Sequence, residues 1–160
     1  MAEKNANRQT DRQTHFRIYM SRDIYCSKFY LHSTACPSGF QNIDGYCLKI
    51  GNGTKSFDEA KVACQDMGGF MAEPRTEEIQ TAMKRLTFDS PYLWIGLRED
   101  SWYKWETDGE ALTFAAWDAG QPNNYGGNQD CAAMRKADHE WDDAVCSQHY
   151  GYACQANIRE

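Results

Sequence analysis

The residues best placed to do chemistry lie in and just beyond one polar loop. From Asp118 to Asp130 the chain is dominated by Gly, Asn, Gln and Pro. The stretch is too polar to pack as core and too long for a tight turn, and ordered loops of this kind often carry function. It offers the side-chain amides of Gln121, Asn123 and Gln129, and the carboxylates of Asp142 and Asp143 follow in what reads as a turn. Amide carbonyls and carboxylates are the oxygen donors a hard cation such as calcium collects, about six to eight at a time. The competing reading is plain loop chemistry, because Asn is a turn residue and paired Asp residues suit a solvated turn. Tyr125 lies inside the loop, where it either meets a ligand or packs on the loop itself. His139 and His149 flank the region and read as surface residues within reach of a ligand. No Ser/His/Asp or Cys/His motif is present, and no Gly-rich loop opens a helix as phosphate binding requires. A binding protein is expected, not an enzyme.

Seven cysteines stand at 26, 36, 47, 64, 131, 146 and 154. Zinc sites favour close ligand pairs, and no Cys-x-x-Cys occurs here. Wide, irregular spacing fits a disulfide framework, which implies an oxidising compartment and a secreted or extracellular location. Asn52-Gly53-Thr54 matches an N-glycosylation acceptor, as does any chance turn of that composition.

The elements that must position the loop can be read in order. Residues 1–30 form a polar N-terminal arm containing the odd cysteine, Cys26, with no apolar stretch of the signal-peptide kind. An unpaired cysteine in a secreted chain points to an intermolecular bridge, here a disulfide-linked homodimer, or else to a capped or buried thiol. Residues 31–160 form the single domain. Asp44-Gly45 between short strand-like runs is a hairpin signal. Ser56 with Glu59 three residues on is a capping box, opening a helix whose apolar face is Phe57, Ala60, Val62, Ala63, Cys64 and Met67, stopped by Gly68-Gly69. A second helix is expected from Thr76 to about Leu86, burying Ile79, Met83 and Leu86. Strands are expected at Tyr92–Leu97, Trp102–Trp105, Cys131–Met134 and Tyr150–Cys154.

Composition narrows the function classes. The chain has 160 residues, 41% of them hydrophobic and 13% aromatic, enough for one domain with a core. A formal net charge of −6 argues against nucleic acid, whose phosphates need clustered Lys and Arg. No apolar run nears the roughly 20 residues of a membrane span, so no membrane insertion is expected.

Set in order, the motifs resemble C-type lectin-like domains. They are Trp94-Ile95-Gly96-Leu97, Trp105, Asp108-Gly109, Trp117, Gln121-Pro122-Asn123, Asp130-Cys131 and Trp141-Asp142-Asp143 before Cys146. The resemblance covers Cys36 to Cys154, in the family's long form. It implies an α+β fold, with two helices flanking two small antiparallel sheets, a long irregular loop region, and bridges Cys36–Cys47, Cys64–Cys154 and Cys131–Cys146. It also implies that Gln121, Asn123, Gln129, Asp142 and Asp143 hold one calcium, with Pro122 in the cis form. Gln121, Asn123, Tyr125, Gln129 and Asp142 would then contact a sugar. Glu73-Pro74-Arg75 matches a structural turn of the family.

The match departs from both common forms of the family, Glu-Pro-Asn and Gln-Pro-Asp. Gln121 and Asp142 have exchanged amide and acid within one pair, which preserves one donor and one acceptor. Gln129 stands where a Glu is usual, so two carboxylates remain where three are usual, and calcium binding should be weak or absent. The expected function is calcium-dependent recognition of terminal hexoses, in agglutination or innate recognition of microbes. Galactose or N-acetylgalactosamine is favoured over mannose or N-acetylglucosamine. The alternative is a calcium-independent relative that binds sugar another way, or binds a protein, mineral or ice surface. Glu99, Asn124 and Asp130 are partial candidates for an auxiliary calcium site.

Overall fold

A computed structural model describes residues 35–158. The N-terminal arm, Cys26 and the dimer it would support lie outside the described residues. The domain opens with strands β1 (Gln41–Ile43) and β2 (Tyr46–Ile50), joined through Asp44 and Gly45. Both turn residues take positive φ, 52° and 90°, which is the geometry a two-residue hairpin with native strand twist demands. Helix α1 (Phe57–Asp66) begins at the expected capping box: Ser56 accepts from the Glu59 amide, and Glu59 accepts from the Ser56 amide. It buries Phe57, Ala60 and Cys64, but Val62, assigned to the same face, is 54% exposed. Position 62 falls two residues from 60 and 64, on the opposite side of a 3.6-residue turn.

Strand β3 (Phe70–Met71) leads to helix α2 (Glu77–Met83), which starts after Thr76 without a side-chain capping bond and stops short of the expected Leu86. Arg85 and Leu86 donate to the carbonyls of Ala82 and Met83, three residues back, so the last turn tightens out of α geometry. Ile79, Met83 and Leu86 are nevertheless all buried. The remaining strands are β4 (Tyr92–Asp100), β5 (Trp102–Trp105), β6 (Cys131–Arg135), β7 (Trp141–Ala144) and β8 (Gly151–Ala156).

The strands join as β1-β2-β8-β4-β6-β7, with β3 on β8 and β5 on β4. The two antiparallel parts expected from the sequence are therefore linked, because β4 runs parallel to β8 through Leu93–Gly151 and Trp94–Tyr152. The bridges Cys36–Cys47, Cys64–Cys154 and Cys131–Cys146 are all present. One of them ties α1 to β8 across a sequence separation of 90.

Trp94, Trp105 and Trp141 are buried, as expected, and Trp117 is partly so. Trp141 is the hub beneath the loop. Trp105, Phe114 and Trp117 meet its ring edge-on, at centroid distances of 6.1, 5.9 and 5.6 Å. Its indole N–H donates to Gln80 Oε1 at 3.0 Å, which satisfies the one polar atom of a buried ring. Its backbone N–H and C=O bond Ala116 and Asp118, fixing where the polar loop departs.

A second buried anchor is Glu73, 3% exposed. Its carboxylate accepts from Thr107 N–H at 2.9 Å, Thr107 Oγ1 at 2.8 Å and Arg75 Nε at 2.9 Å. It thereby fastens the turn before α2 to the end of β5, the structural role the resemblance implied. Gly96 is required opposite it, since a Cβ there would fall 2.8 Å from Glu73 Cγ. Glu73→Ala should cost about 2 kcal/mol in urea unfolding, because Arg75 Nε and the Thr107 N–H and hydroxyl lose the acceptor they share, while Arg75 keeps its pairing with Asp108. Burial pushes the Glu73 carboxyl above its usual range despite the bonds from Arg75 and Thr107. Relative to the unfolded chain, the folded state therefore binds the proton more tightly. This contribution is fully present below the unfolded value and is lost as pH rises through the folded one.

Candidate functional site

The loop is built on β7, and this corrects one sequence reading. Asp142 and Asp143 lie in a strand rather than a solvated turn, paired with Ala133 and Ala132 of β6. Alternation along β7 turns Trp141 and Asp143 to buried positions and leaves Asp142 partly exposed. Asp143 is 1% exposed. Among the described residues no cationic side chain pairs with it; its carboxylate instead accepts from the backbone N–H of Asn123 at 3.0 Å and Asn124 at 2.5 Å. A buried charge must be hydrogen-bonded, paired or bound to a metal, and the described residues supply hydrogen bonds.

The Gln121–Pro122 bond is cis, as the resemblance implied, and Asn124 adopts a left-handed conformation with φ 44°. Asn123 Oδ1 accepts from the Tyr125 N–H at 2.9 Å, a bond made by the oxygen and not by the side-chain NH2. Asn124 Oδ1 accepts from the Gln129 N–H at 3.0 Å, closing the loop on itself. Gln129 Nε2 donates to the Asp143 carbonyl at 2.9 Å. A carbonyl only accepts, so this bond fixes the Gln129 amide with its nitrogen toward β7 and its oxygen away.

Gln121 Oε1 and Gln129 Oε1 are both buried and have no hydrogen-bond partner among the described residues. Unpartnered buried oxygens are uncommon and call for an unseen donor or cation. Amide oxygens of this kind and the carboxylate of Asp143 are donors that calcium takes, so the residues present fit that ion. Asp142 lies beside them, with Tyr92 donating to its Oδ2 at 3.4 Å. Burial and the neighbouring charge of Asp143 push the Asp142 carboxyl above its usual range. A carboxylate raised in this way by a neighbouring negative charge is stabilised by a cation beside it.

Two tyrosines escaped the sequence reading. Tyr92 supports Asp142, and Tyr103 donates to the Gln129 carbonyl at 3.3 Å while resting against Trp117 at 4.8 Å. Burial and the charge of Asp143 push the Tyr103 hydroxyl up, so it stays a neutral donor. Tyr92 is 50 residues from Asp142 and Tyr103 is 26 from Gln129, and nothing local marks either. Tyr125 is 83% exposed beside the site and does not pack into the loop. His149 lies 3.5 Å from Glu59, and His139 packs edge-on against Phe88 at 6.4 Å; neither bonds a site residue. Of the auxiliary candidates, the Glu99 amide bonds the Asp130 carbonyl, while Asn124 belongs to the main loop. A separate acidic group, Asp118, Asp138 and Glu140, already holds Arg135, which is paired with both aspartates. Asn52 is exposed in a bend, where an acceptor would need to be.

Comparison with known proteins agrees with this fold. The family model described as the lectin C-type domain matches residues 53–156. An alpha-N-acetylgalactosamine-specific lectin of Patiria pectinifera is 35% identical over 127 residues, 70% of this chain and 74% of that protein. The CD209 antigen-like protein A of Mus musculus is 30% identical over 128 residues, 76% of this chain; the match spans only 52% of that protein's length. Among solved structures, the carbohydrate-recognition domain of the mouse scavenger receptor C-type lectin superposes with a TM-score of 0.70. It is 29% identical, over 79% of this chain and 100% of that one. No helix among the described residues is long and apolar enough to cross a membrane. With its three bridges, its cis-proline loop and a domain match covering most of residues 35–158, the chain belongs to the C-type lectin domain family.

Proposed function

We propose that this domain binds a terminal hexose through a calcium ion held by Gln121, Asn123, Gln129, Asp142 and Asp143. The observation that carries the reading is the buried carboxylate of Asp143, without a cationic side-chain partner among the described residues, and two buried amide oxygens without donors among them. Calcium bound there supplies a positive centre for two neighbouring sugar hydroxyls. The chain supplies the rest. The Gln121 amide donates to one hydroxyl while the Asp142 carboxylate accepts its proton, the pair in which acid and amide have traded places. Asn123 donates to the second hydroxyl, where Gln129 leaves only an amide oxygen as acceptor. With two carboxylates the site is weak for calcium, since affinity follows ligand charge.

Gln121 and the exposed ring of Tyr125 favour galactose or N-acetylgalactosamine, whose apolar face suits stacking on an aromatic ring. The specificity named for the Patiria relative points the same way. The disulfide framework suits a secreted protein, and the role read here is agglutination or recognition of microbes. The test is binding to immobilised sugars with calcium and then with a chelator. N-acetylgalactosamine should compete better than mannose, and the chelator should abolish binding. Binding that survives the chelator would overturn the calcium route in favour of a calcium-independent lectin.

A further inference from the structure

We infer that the sugar-binding loop is closed by the protein alone, and that Gln129 is the residue that frees this closure from calcium. The loop and β7 form one hydrogen-bonded circuit. Asp143 grips the Asn123 and Asn124 amides through its carboxylate and the Gln129 side chain through its carbonyl. Asn124 Oδ1 returns the circuit to the Gln129 backbone, and Tyr103 holds the Gln129 carbonyl from below. Gln129 is thus fixed at its amide, its carbonyl and its side chain, each to a different element.

The side-chain bond exists only because residue 129 carries a donor. A Glu at this position would set a carboxylate against the Asp143 carbonyl, acceptor against acceptor, and add a third negative charge beside Asp142 and Asp143. Without a cation that arrangement repels, and the loop would open. With one, three carboxylates share the charge and closure returns. Gln129 therefore exchanges calcium affinity for a loop that keeps its shape when calcium is scarce. The amide nitrogen serves β7, and the Gln129 oxygen stays available to the proposed cation. The effect of calcium on the variant below rests on the proposed cation site, whereas closure of the native loop does not.

The experiment is amide hydrogen exchange, read by NMR at Asn123, Asn124 and Gln129, on the disulfide-intact chain. In chelator the native protein should protect all three. Gln129→Glu should exchange at least roughly tenfold faster there, and recover when calcium is added. Gln129→Met, which removes the donor without adding charge, should also exchange faster, but calcium should not rescue it. Native amides that exchange freely in chelator, or a Gln129→Glu variant protected in chelator as the native chain is, would overturn the inference. Protected native amides with no calcium rescue of Gln129→Glu would leave the closure standing and count against the cation site instead.

Discussion

Replacing Cys64 and Cys154 together by Ala is expected to lower the unfolding free energy by about 4–5 kcal/mol, the largest loss for any single bridge. The bridge closes a sequence separation of 90, against 11 and 15 for the other two. In the chain-entropy account, the stabilisation comes from restricting the unfolded chain and grows with the logarithm of the loop, which gives the shorter bridges about 3 kcal/mol each. Both sulfurs are fully buried between α1 and β8, next to Phe57 and Trp94, so the double variant also loses packed volume. Total stabilities of about 5–15 kcal/mol leave little margin for such a loss. Denaturant unfolding monitored by tryptophan fluorescence checks it. A loss no greater than that from removing Cys36–Cys47 would show that the unfolded chain is already compact.

Asp143→Asn is expected to abolish both the calcium response and sugar binding while preserving the fold. The substitution keeps the shape of the side chain and removes its charge. One oxygen still accepts from Asn123 or Asn124, but the new NH2 group faces the other N–H. Two donors facing one another in a buried place cost about 1–3 kcal/mol, which a disulfide-bonded domain withstands. The cation site retains one carboxylate, Asp142, too little charge for calcium at millimolar concentrations. Calcium titration followed by thermal unfolding and by sugar competition reads both effects. A variant that still responds to calcium as the native chain does would place the ion elsewhere.

Much of this architecture was legible before any coordinates, and the reasons are local. The Asp44-Gly45 turn, the Ser56–Glu59 capping box and the buried run Leu93–Leu97 are each dictated by neighbouring residues, and each formed where expected. The cysteine pairings and the cis Gln121–Pro122 bond came from the family resemblance, since spacing alone leaves connectivity open. What the sequence hid was tertiary. β7 was read as a turn because Trp-Asp-Asp-Ala lacks an apolar alternation; Asp143 occupies a core position that an apolar side chain would ordinarily fill. The parallel seam of β4 with β8 and the hydroxyls of Tyr92 and Tyr103 depend on segments far apart in the chain. So does the bond from Gln129 to the Asp143 carbonyl, which converts an apparent loss of a ligand into a gain of structure.

The most direct test of the central claim is the thermal midpoint of the native, disulfide-intact chain across a calcium titration, with chelator as zero. A ligand that binds only the folded state raises the midpoint by mass action. The account predicts a saturable rise in the millimolar range that is absent in Asp143→Asn. A midpoint that stays flat to saturating calcium would contradict it, and would leave the oxygens of Gln121, Gln129 and Asp143 without the cation assigned to them here.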